Sequence, residues 1–157
     1  MDVQQDVTTS AAENQFVTVT IGSQLFGIPV LSVRDVLVVQ KTTPIPLAPP
    51  EVAGALNLRG RIVTAIDMRR SLGLTARKDG GPGMYVVVEE RDELYSLMVD
   101  SVDEVMTLPE VALERSPGTL DPRWREVSGG IFRLDGKLLV VLDVERLLDF
   151  MRRAEVI

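Results

Sequence analysis

The sequence predicts a mainly β protein built from two similar units of about five strands each, with one short helix near the C-terminus. Three observations predict this fold class. Apolar residues alternate in several short runs, the arrangement of these runs occurs twice along the chain, and helical periodicity is confined to the end. Because 45% of the 157 residues are apolar and 25% are charged, the chain can bury a hydrophobic core and is not expected to be disordered as a whole.

The first strands form a hairpin pattern. Apolar residues alternate from Phe16 to Ile21 and from Leu25 to Val30, and the turn-forming Gly22-Ser23-Gln24 separates the two runs. Four further runs rich in β-branched and aliphatic residues share this pattern: 62–66, 84–88, 94–99 and 138–142. We therefore expect strands at all six places.

The C-terminal helix is predicted by apolar spacing. Val144, Leu147 and Met151 recur at intervals of three and four residues, which places them on one helix face. Asp143 is a suitable N-cap residue, and the helix dipole favours Glu145 in the first turn. The helix is expected over residues 144–152.

An internal repeat is visible when the sequence is compared with itself. A shift of 69 positions places Phe16 on Tyr85 and Leu25 on Leu94. Further on, a shift of 75 places Glu51–Gly54 on Glu126–Gly129, and one extra residue is then needed before the next glycine-containing turn matches. A duplication explains these shared small, acidic and apolar positions better than chance.

The repeat defines the expected domain organisation. Residues 1–14 are polar and are expected to form a disordered tail, whereas residues 15–152 form a single domain. The parts of that domain follow in order: subdomain one at 15–79, a glycine-rich linker at 77–83, subdomain two at 84–143 and the helix at 144–152.

Composition excludes several classes of function. The chain has no Cys and no His, which excludes thiolate nucleophiles, imidazole catalysis and zinc fingers, and no metal or cofactor site is expected. A net charge of −6 disfavours nucleic acid as a partner. The longest aliphatic run, 138–142, is too short to span a membrane, and residues 1–14 do not resemble a signal peptide. A cytoplasmic location fits the absence of Cys.

Charge divides along the repeat. Residues 1–79 hold eight Lys and Arg against seven Asp and Glu, whereas residues 80–157 hold nine against sixteen. Single charges of this kind are usually solvated, but unlike charge on two similar units suits a protein that contacts a different partner at each end.

The turn Asn57–Arg61 is the most unusual short segment. Its counterpart in the second unit is Arg133–Lys137, in which Asp135 occupies the position that matches Arg59. Arg59 is either a solvated turn residue or a guanidinium directed at a carboxylate or carbonyl of a partner.

Three aspartates, Asp67, Asp100 and Asp143, each follow an apolar run. Helix capping is the favoured interpretation, and Ser101–Glu104 matches a capping box. The alternative is a hydrolytic or small-ligand-binding β-barrel, but the residues that would set the protonation of these carboxylates are missing nearby. An oligonucleotide-binding barrel is disfavoured by acidity and by the scarcity of aromatic residues.

Four valines lie at matched positions that we expect to be turns between strands: Val33, Val36, Val102 and Val105. Core packing is favoured for them. The alternative is that some line a groove between the units and contact a helix of a partner.

Several segments occur in an order that is typical of one known family: Phe26–Val30, Val33–Val36, Pro46–Pro49, Gly54–Gly60, Ile66–Arg69, Met98–Val102 and Leu142–Val144. Through these segments the sequence resembles the CheW-like domain family of chemotaxis coupling proteins. The resemblance covers Phe16 to about Phe150. The chain departs from the family pattern at Thr64, where the family often has Pro, and at Met68, which is often Leu; we interpret both as strand and core adjustments.

The resemblance implies a fold and a function. The fold would be two intertwined five-stranded SH3-like β-barrel subdomains. The protein would be a non-enzymatic cytoplasmic adaptor, recruited to membrane-associated receptor arrays, that couples the cytoplasmic tip of methyl-accepting chemoreceptors to the regulatory domain of the histidine kinase CheA. A coupler of a non-flagellar array, as in surface motility, is the alternative.

The resemblance also implies binding residues. Receptor contacts would fall on five residues around the groove: Val33, Asp35, Asn57, Arg59 and Val99. Kinase contacts would fall mainly on the second unit, near Met84 and Val105.

Overall fold

The computed structural model describes residues 14–38, 40–74 and 83–155. The expected tail and linker lie outside these ranges apart from Asn14 and Gly83. The described strands are β1 (Gln15–Ile21), β2 (Gln24–Pro29), β3 (Val33–Val38), β4 (Val52–Leu58), β5 (Arg61–Asp67), β6 (Met84–Glu90), β7 (Glu93–Val99), β8 (Ser101–Thr107), β9 (Ser128–Leu134) and β10 (Lys137–Leu142). The described α-helices are α1 (Met68–Ser71), α2 (Pro122–Val127) and α3 (Val144–Glu155).

The six predicted strands and the C-terminal helix are confirmed. They correspond to β1, β2, β5, β6, β7 and β10, and to α3. The Asp143 carboxylate accepts a hydrogen bond from Arg146 N–H at 3.1 Å, which confirms it as the cap of α3. Asp67 caps α1 in the same way, since its carboxylate accepts from Arg69 and Arg70 N–H.

Two predictions about the regions after the hairpins are wrong. The four matched valines lie within β3 and β8 and not in turns. Ser101–Glu104 is the start of β8 and not a capping box, because Glu104 pairs with β1 instead. Its N–H donates to Thr18 Oγ1 at 3.0 Å, and its carbonyl accepts from the same hydroxyl at 2.7 Å. Asp100 consequently caps no helix.

The strands form two five-stranded sheets. Sheet A has the order β8-β1-β2-β10-β9, and sheet B has the order β3-β6-β7-β5-β4. Each sheet takes two strands from one repeat and three from the other, so the predicted intertwining is confirmed. The residue boundaries of the two subdomains, 15–79 and 84–143, stay a prediction. In both sheets one central pair is parallel, namely β2 with β10 and β7 with β5.

The structure corrects the register of the second half of the repeat. Val52 lies opposite Ile66 and Ser128 lies opposite Leu142, so a shift of 76 relates both pairs. Gly54 and Gly130 follow at the same shift, with φ angles of 148° and 133°. A Cβ on either glycine would lie within 3 Å of a backbone oxygen from the preceding loop. Gly54 therefore matches Gly130 and not Gly129, and no extra residue is needed.

The main hydrophobic core joins the two sheets. Phe26, Ile66 and Leu142 are fully buried in one cluster together with residues of α3. Trp124 of α2 packs edge-on against Phe26, with ring centroids 5.7 Å apart, and its Nε1–H donates to Leu72 O at 3.2 Å. Trp124 therefore has a packing role in the main core. Within the described residues, no helix is long and apolar enough to span a membrane.

Candidate partner-binding surface

The turn between β4 and β5 holds Arg59 away from the body of the protein. Leu58 pairs with Arg61, so Arg59 and Gly60 form a two-residue hairpin loop. Both have positive φ angles, 51° and 86°, as a type I′ turn requires. The Asn57 side chain closes the turn, because its Oδ1 accepts from Gly60 N–H at 2.9 Å. Gly60 adopts a positive φ angle easily, whereas a residue with a long side chain, such as Arg59, seldom does.

Arg59 forms an ion pair across the edges of sheet B. Its Nη2 lies 3.2 Å from Asp35 Oδ2, and the two side chains are 80% and 24% exposed. Asp35 lies on β3 and Arg59 adjoins β4, which are the two outer strands of the sheet, so the sheet curls until its edges meet. The Asp35 Oδ2 atom accepts no well-aligned hydrogen bond, which makes this contact mainly electrostatic. Most guanidinium donors of Arg59 therefore stay available to a partner.

Exposed apolar residues are the strand neighbours of Asp35 and Asn57. Ile62 of β5 lies directly opposite Asn57 and is 71% exposed. Val36 follows Asp35 on β3 and is also exposed. We call Asp35, Val36, Asn57, Arg59 and Ile62 the Arg59 surface. It combines a cation, a carboxylate, an amide and two aliphatic groups, which suits recognition of a protein surface.

Ile62 was missed as a functional candidate because its apolar run was read only as a strand. The signal lay in the adjacent pair Ile62-Val63, since neighbouring strand residues face opposite sides and only one of them reaches the core. Val63 is that residue, with no exposed area.

The Arg59 surface has no counterpart in sheet A. The repeat places Glu104 and Asp135 at the positions of Asp35 and Arg59, and both of these residues are acidic. The ion pair and the outward guanidinium are therefore features of one half of the molecule. The charge difference between the halves that the sequence shows is present at matched sites of the fold.

The structure supports some of the predicted binding residues more than others. Asp35, Asn57 and Arg59 lie together, and half-buried Val33 lies on the same strand as Asp35. Val99 does not support the expectation of a partner contact, because it is 2% exposed and packs in the main core. Val99 ends β7, where its apolar side chain faces inward.

The two predicted kinase-binding residues lie on different sheets. Met84 begins β6, is half-buried and lies opposite Val38, which is 63% exposed. Val105 lies on β8, the outer strand of sheet A, and is 57% exposed. Met84 therefore lies next to the outer strand of sheet B, and Val105 lies on the outer strand of sheet A.

The aspartates considered as catalytic groups are all engaged in structure. Asp67 and Asp143 cap helices, and the Asp100 carboxylate pairs with the Arg69 guanidinium.

Burial, with a further contribution from the negative charge of Asp67, raises the pKa of Tyr85. Its hydroxyl therefore stays protonated near neutral pH and is not a base.

Comparisons with known proteins agree with this architecture. The model of the CheW-like domain family matches residues 15–151. The chain is 28% identical over 134 residues to the chemotaxis protein CheW of Helicobacter pylori, covering 85% of this chain and 81% of that protein. It is also 28% identical over 137 residues to the CheW of Treponema pallidum, with the same coverage.

A solved structure has the same fold. The scaffolding protein TtCheW from Thermoanaerobacter tengcongensis is 27% identical, matches with a TM-score of 0.77, and the match covers 86% of this chain and 87% of that one. Because the family model spans nearly all of the described residues and the interleaved sheets match this structure, the chain belongs to the CheW-like domain family.

Proposed function

We propose that this protein is a non-enzymatic chemotaxis coupling adaptor that joins the cytoplasmic tip of chemoreceptors to the regulatory domain of the kinase CheA. It acts in the cytoplasm at membrane-associated receptor arrays. Membership of the CheW-like family supports the adaptor role. The observation that supports a specific contact is the Arg59 surface, which presents an outward guanidinium at a turn where the second repeat has Asp135.

The proposed receptor contact uses Asp35, Asn57 and Arg59, together with Val33 on the same strand as Asp35. Arg59 donates to carboxylates or carbonyls of the receptor helix through its other nitrogens, while Asp35 pairs with Nη2 of the guanidinium. Exposed Val36 and Ile62 cover the contact and exclude water, which strengthens the hydrogen bonds of the guanidinium.

The proposed kinase contact uses the outer strands of the two sheets. Val105 on β8 offers an exposed aliphatic side chain, and Met84 lies beside exposed Val38 on β3. Exposed valines on outer strands are disfavoured in an isolated protein, because such edges invite pairing with another chain. A partner that covers them removes this liability.

Charge reversal at Arg59 tests the receptor contact. In Arg59→Glu, the affinity for a receptor-tip fragment should fall about tenfold or more, because a carboxylate would then face the partner's acceptors. Thermal unfolding should shift little, since an ion pair exposed on one side contributes at most about 1 kcal/mol. Both quantities are measurable by calorimetric titration and thermal unfolding of the purified chain.

Arg91→Glu is the matched control. Arg91 also lies in a hairpin turn with a positive φ angle, 53°, and its side chain is 61% exposed in a surface ion pair. Its substitution should leave receptor affinity within about twofold. Equal losses in the two variants would assign the effect to net charge and remove Arg59 from the receptor contact.

A further inference from the structure

A polar cavity in the second repeat is lined by three arginines. It lies between the loop after β8, the start of β9 and the first turn of α3, and has a volume of about 440 Å³. The guanidinium side chains belong to Arg115, Arg125 and Arg146, and we call this site the arginine pocket. Its volume is within the range of sites for small ligands.

The same place in the first repeat shows that the fold does not need two of these arginines, Arg115 and Arg125, whereas Arg146 matches Arg70. The shift of 76 places Arg125 on Pro49 and Ser128 on Val52. The isolated bridges Thr43–Ala55 and Glu114–Ile131 place Arg115 on Pro44. Two cations thus stand where the matched site has prolines, although both sites have the same strand register.

The arginines of the pocket are not used by the acidic residues around them. Within the described part of the chain, none of the three forms an ion pair within 4.0 Å. Asp143 lines the pocket, but its carboxylate already accepts from Arg146 N–H as the cap of α3. With three guanidiniums and one carboxylate, the pocket carries a formal charge of +2 in a half-chain that is acidic overall.

The wall of the pocket is held by hydrogen bonds. Arg146 Nη1 donates to Ser128 O at 2.8 Å, which ties its guanidinium to the start of β9. Ser128 Oγ lies 2.8 Å from Ser116 Oγ and accepts from Gly130 N–H at 3.0 Å. Gly129 lies between Ser128 and Gly130 and is the extra residue of a β-bulge, since it has no partner opposite it in β10. The bulge turns this short backbone segment into a rigid edge of the cavity.

The number of donors selects the ligand. One guanidinium fork satisfies the two oxygens of a carboxylate, whereas three guanidiniums match the larger set of acceptor oxygens on a phosphate. We propose that the arginine pocket binds a phosphate group, with Arg115, Arg125 and Arg146 as its ligands. The group is either free phosphate or the phosphate of a phosphorylated side chain.

An NMR titration of the full chain with inorganic phosphate tests the proposal. Amide signals of Gly129 and Gly130 should shift in a saturable way, while that of Gly54, the counterpart of Gly130 in the first repeat, should stay in place. Parallel titrations with O-phosphoserine and acetate distinguish the ligand. Tighter binding of O-phosphoserine would identify a phosphorylated side chain as the source, and equal binding would identify free phosphate.

Variants locate the contact. In Arg125→Gln the affinity for phosphate should fall about tenfold, as expected for the loss of one charged hydrogen bond. Lys137→Gln removes the same charge from an exposed position of the same half outside the pocket, and should leave the affinity unchanged. Shifts that do not saturate, equal losses in the two variants, or acetate binding as tightly as phosphate would each overturn the proposal.

Discussion

The Arg69 guanidinium and the Asp100 carboxylate form a two-armed ion pair between the repeats. Nε lies 2.8 Å from Oδ1 and Nη2 lies 2.6 Å from Oδ2, and the side chains are only 20% and 15% exposed. The same carboxylate accepts from Gly22 N–H at 2.8 Å in the turn between β1 and β2. One side chain therefore fastens α1, the end of β7 and the first hairpin together.

Asp100→Asn should destabilise the protein by about 2 kcal/mol. The amide removes the negative charge and turns one acceptor into a donor facing Arg69 or Gly22, which leaves poorly solvated donors unpaired. The measurement is the free energy of unfolding in urea. Asp135→Asn, at an exposed turn, should change it by less than about 0.5 kcal/mol. Comparable changes in the two variants would mean that the pair contributes no more than surface charge does.

Tyr85 should make stability depend on pH in the alkaline range. Its pKa is raised above the ordinary value of about 10, so the folded state holds the phenol proton more tightly than the unfolded state does. The resulting stability is present below pH 10 and is lost as pH rises through the folded pKa.

Comparison with Tyr85→Phe isolates this effect. As pH rises above about 10, the native chain should lose more unfolding free energy than the variant, which has no phenol to ionise. Parallel pH profiles of the two proteins would show that Tyr85 ionises as readily in the folded as in the unfolded chain.

At the scale of the element, β10 anchors the core of sheet A. It pairs with β9 on one side and with β2 on the other, and Leu142 at its end is fully buried in the main core. Leu142→Ala should cost about 2–5 kcal/mol of unfolding free energy, from lost burial and the cavity left behind.

Its counterpart in β5 provides matched comparisons. Ile66→Ala, at the equivalent buried position, should cost a similar amount, whereas Ile62→Ala, 71% exposed on the same strand, should cost less than about 1 kcal/mol. A small loss for Leu142→Ala would be inconsistent with the strand register.

The elements that sequence patterns predicted are those with one clearly buried face. β3, β4, β8 and β9 were missed. In β3 and β8 the exposed positions carry valine as well as charge, so alternation is blurred. In β3, Val36 and Val38 face solvent, whereas Val33 and Leu37 are half-buried. Alternation of apolar and polar residues predicts which face of a strand is buried. It fails where an exposed position of the strand also carries an apolar side chain.

The candidate site was predictable only in part. Asn57 and Arg59 stand out because a hairpin turn needs positive φ angles and the repeat has a different residue at Arg59. The ion pair between Arg59 and Asp35 was not foreseeable from spacing, because 23 positions separate them and only the curl of sheet B brings them together. Burial of Val99 was likewise set by packing between strands of both repeats.

At the scale of the whole molecule, the exchange of strands makes the two repeats one folding unit. The duplication was visible in the sequence, but periodicity cannot tell whether a strand pairs within its own repeat or with the other. The family resemblance implied the intertwined arrangement, and the strand order confirms it.

Unfolding should accordingly occur in one cooperative transition. Each sheet loses strands when either repeat unfolds, and both sheets share the main core. The calorimetric enthalpy should equal the van't Hoff enthalpy in a thermal scan of the full chain. Two separate transitions, or a ratio of calorimetric to van't Hoff enthalpy well above one, would show that the sheets unfold independently.

The strand order also decides where tension acts on the molecule. β1 and β10, the first and last strands in the described sequence, both belong to sheet A, with only β2 between them. A force that pulls these two strands apart acts first on the hydrogen bonds of sheet A. Sheet B, which carries the Arg59 surface, bears this force only after sheet A has broken.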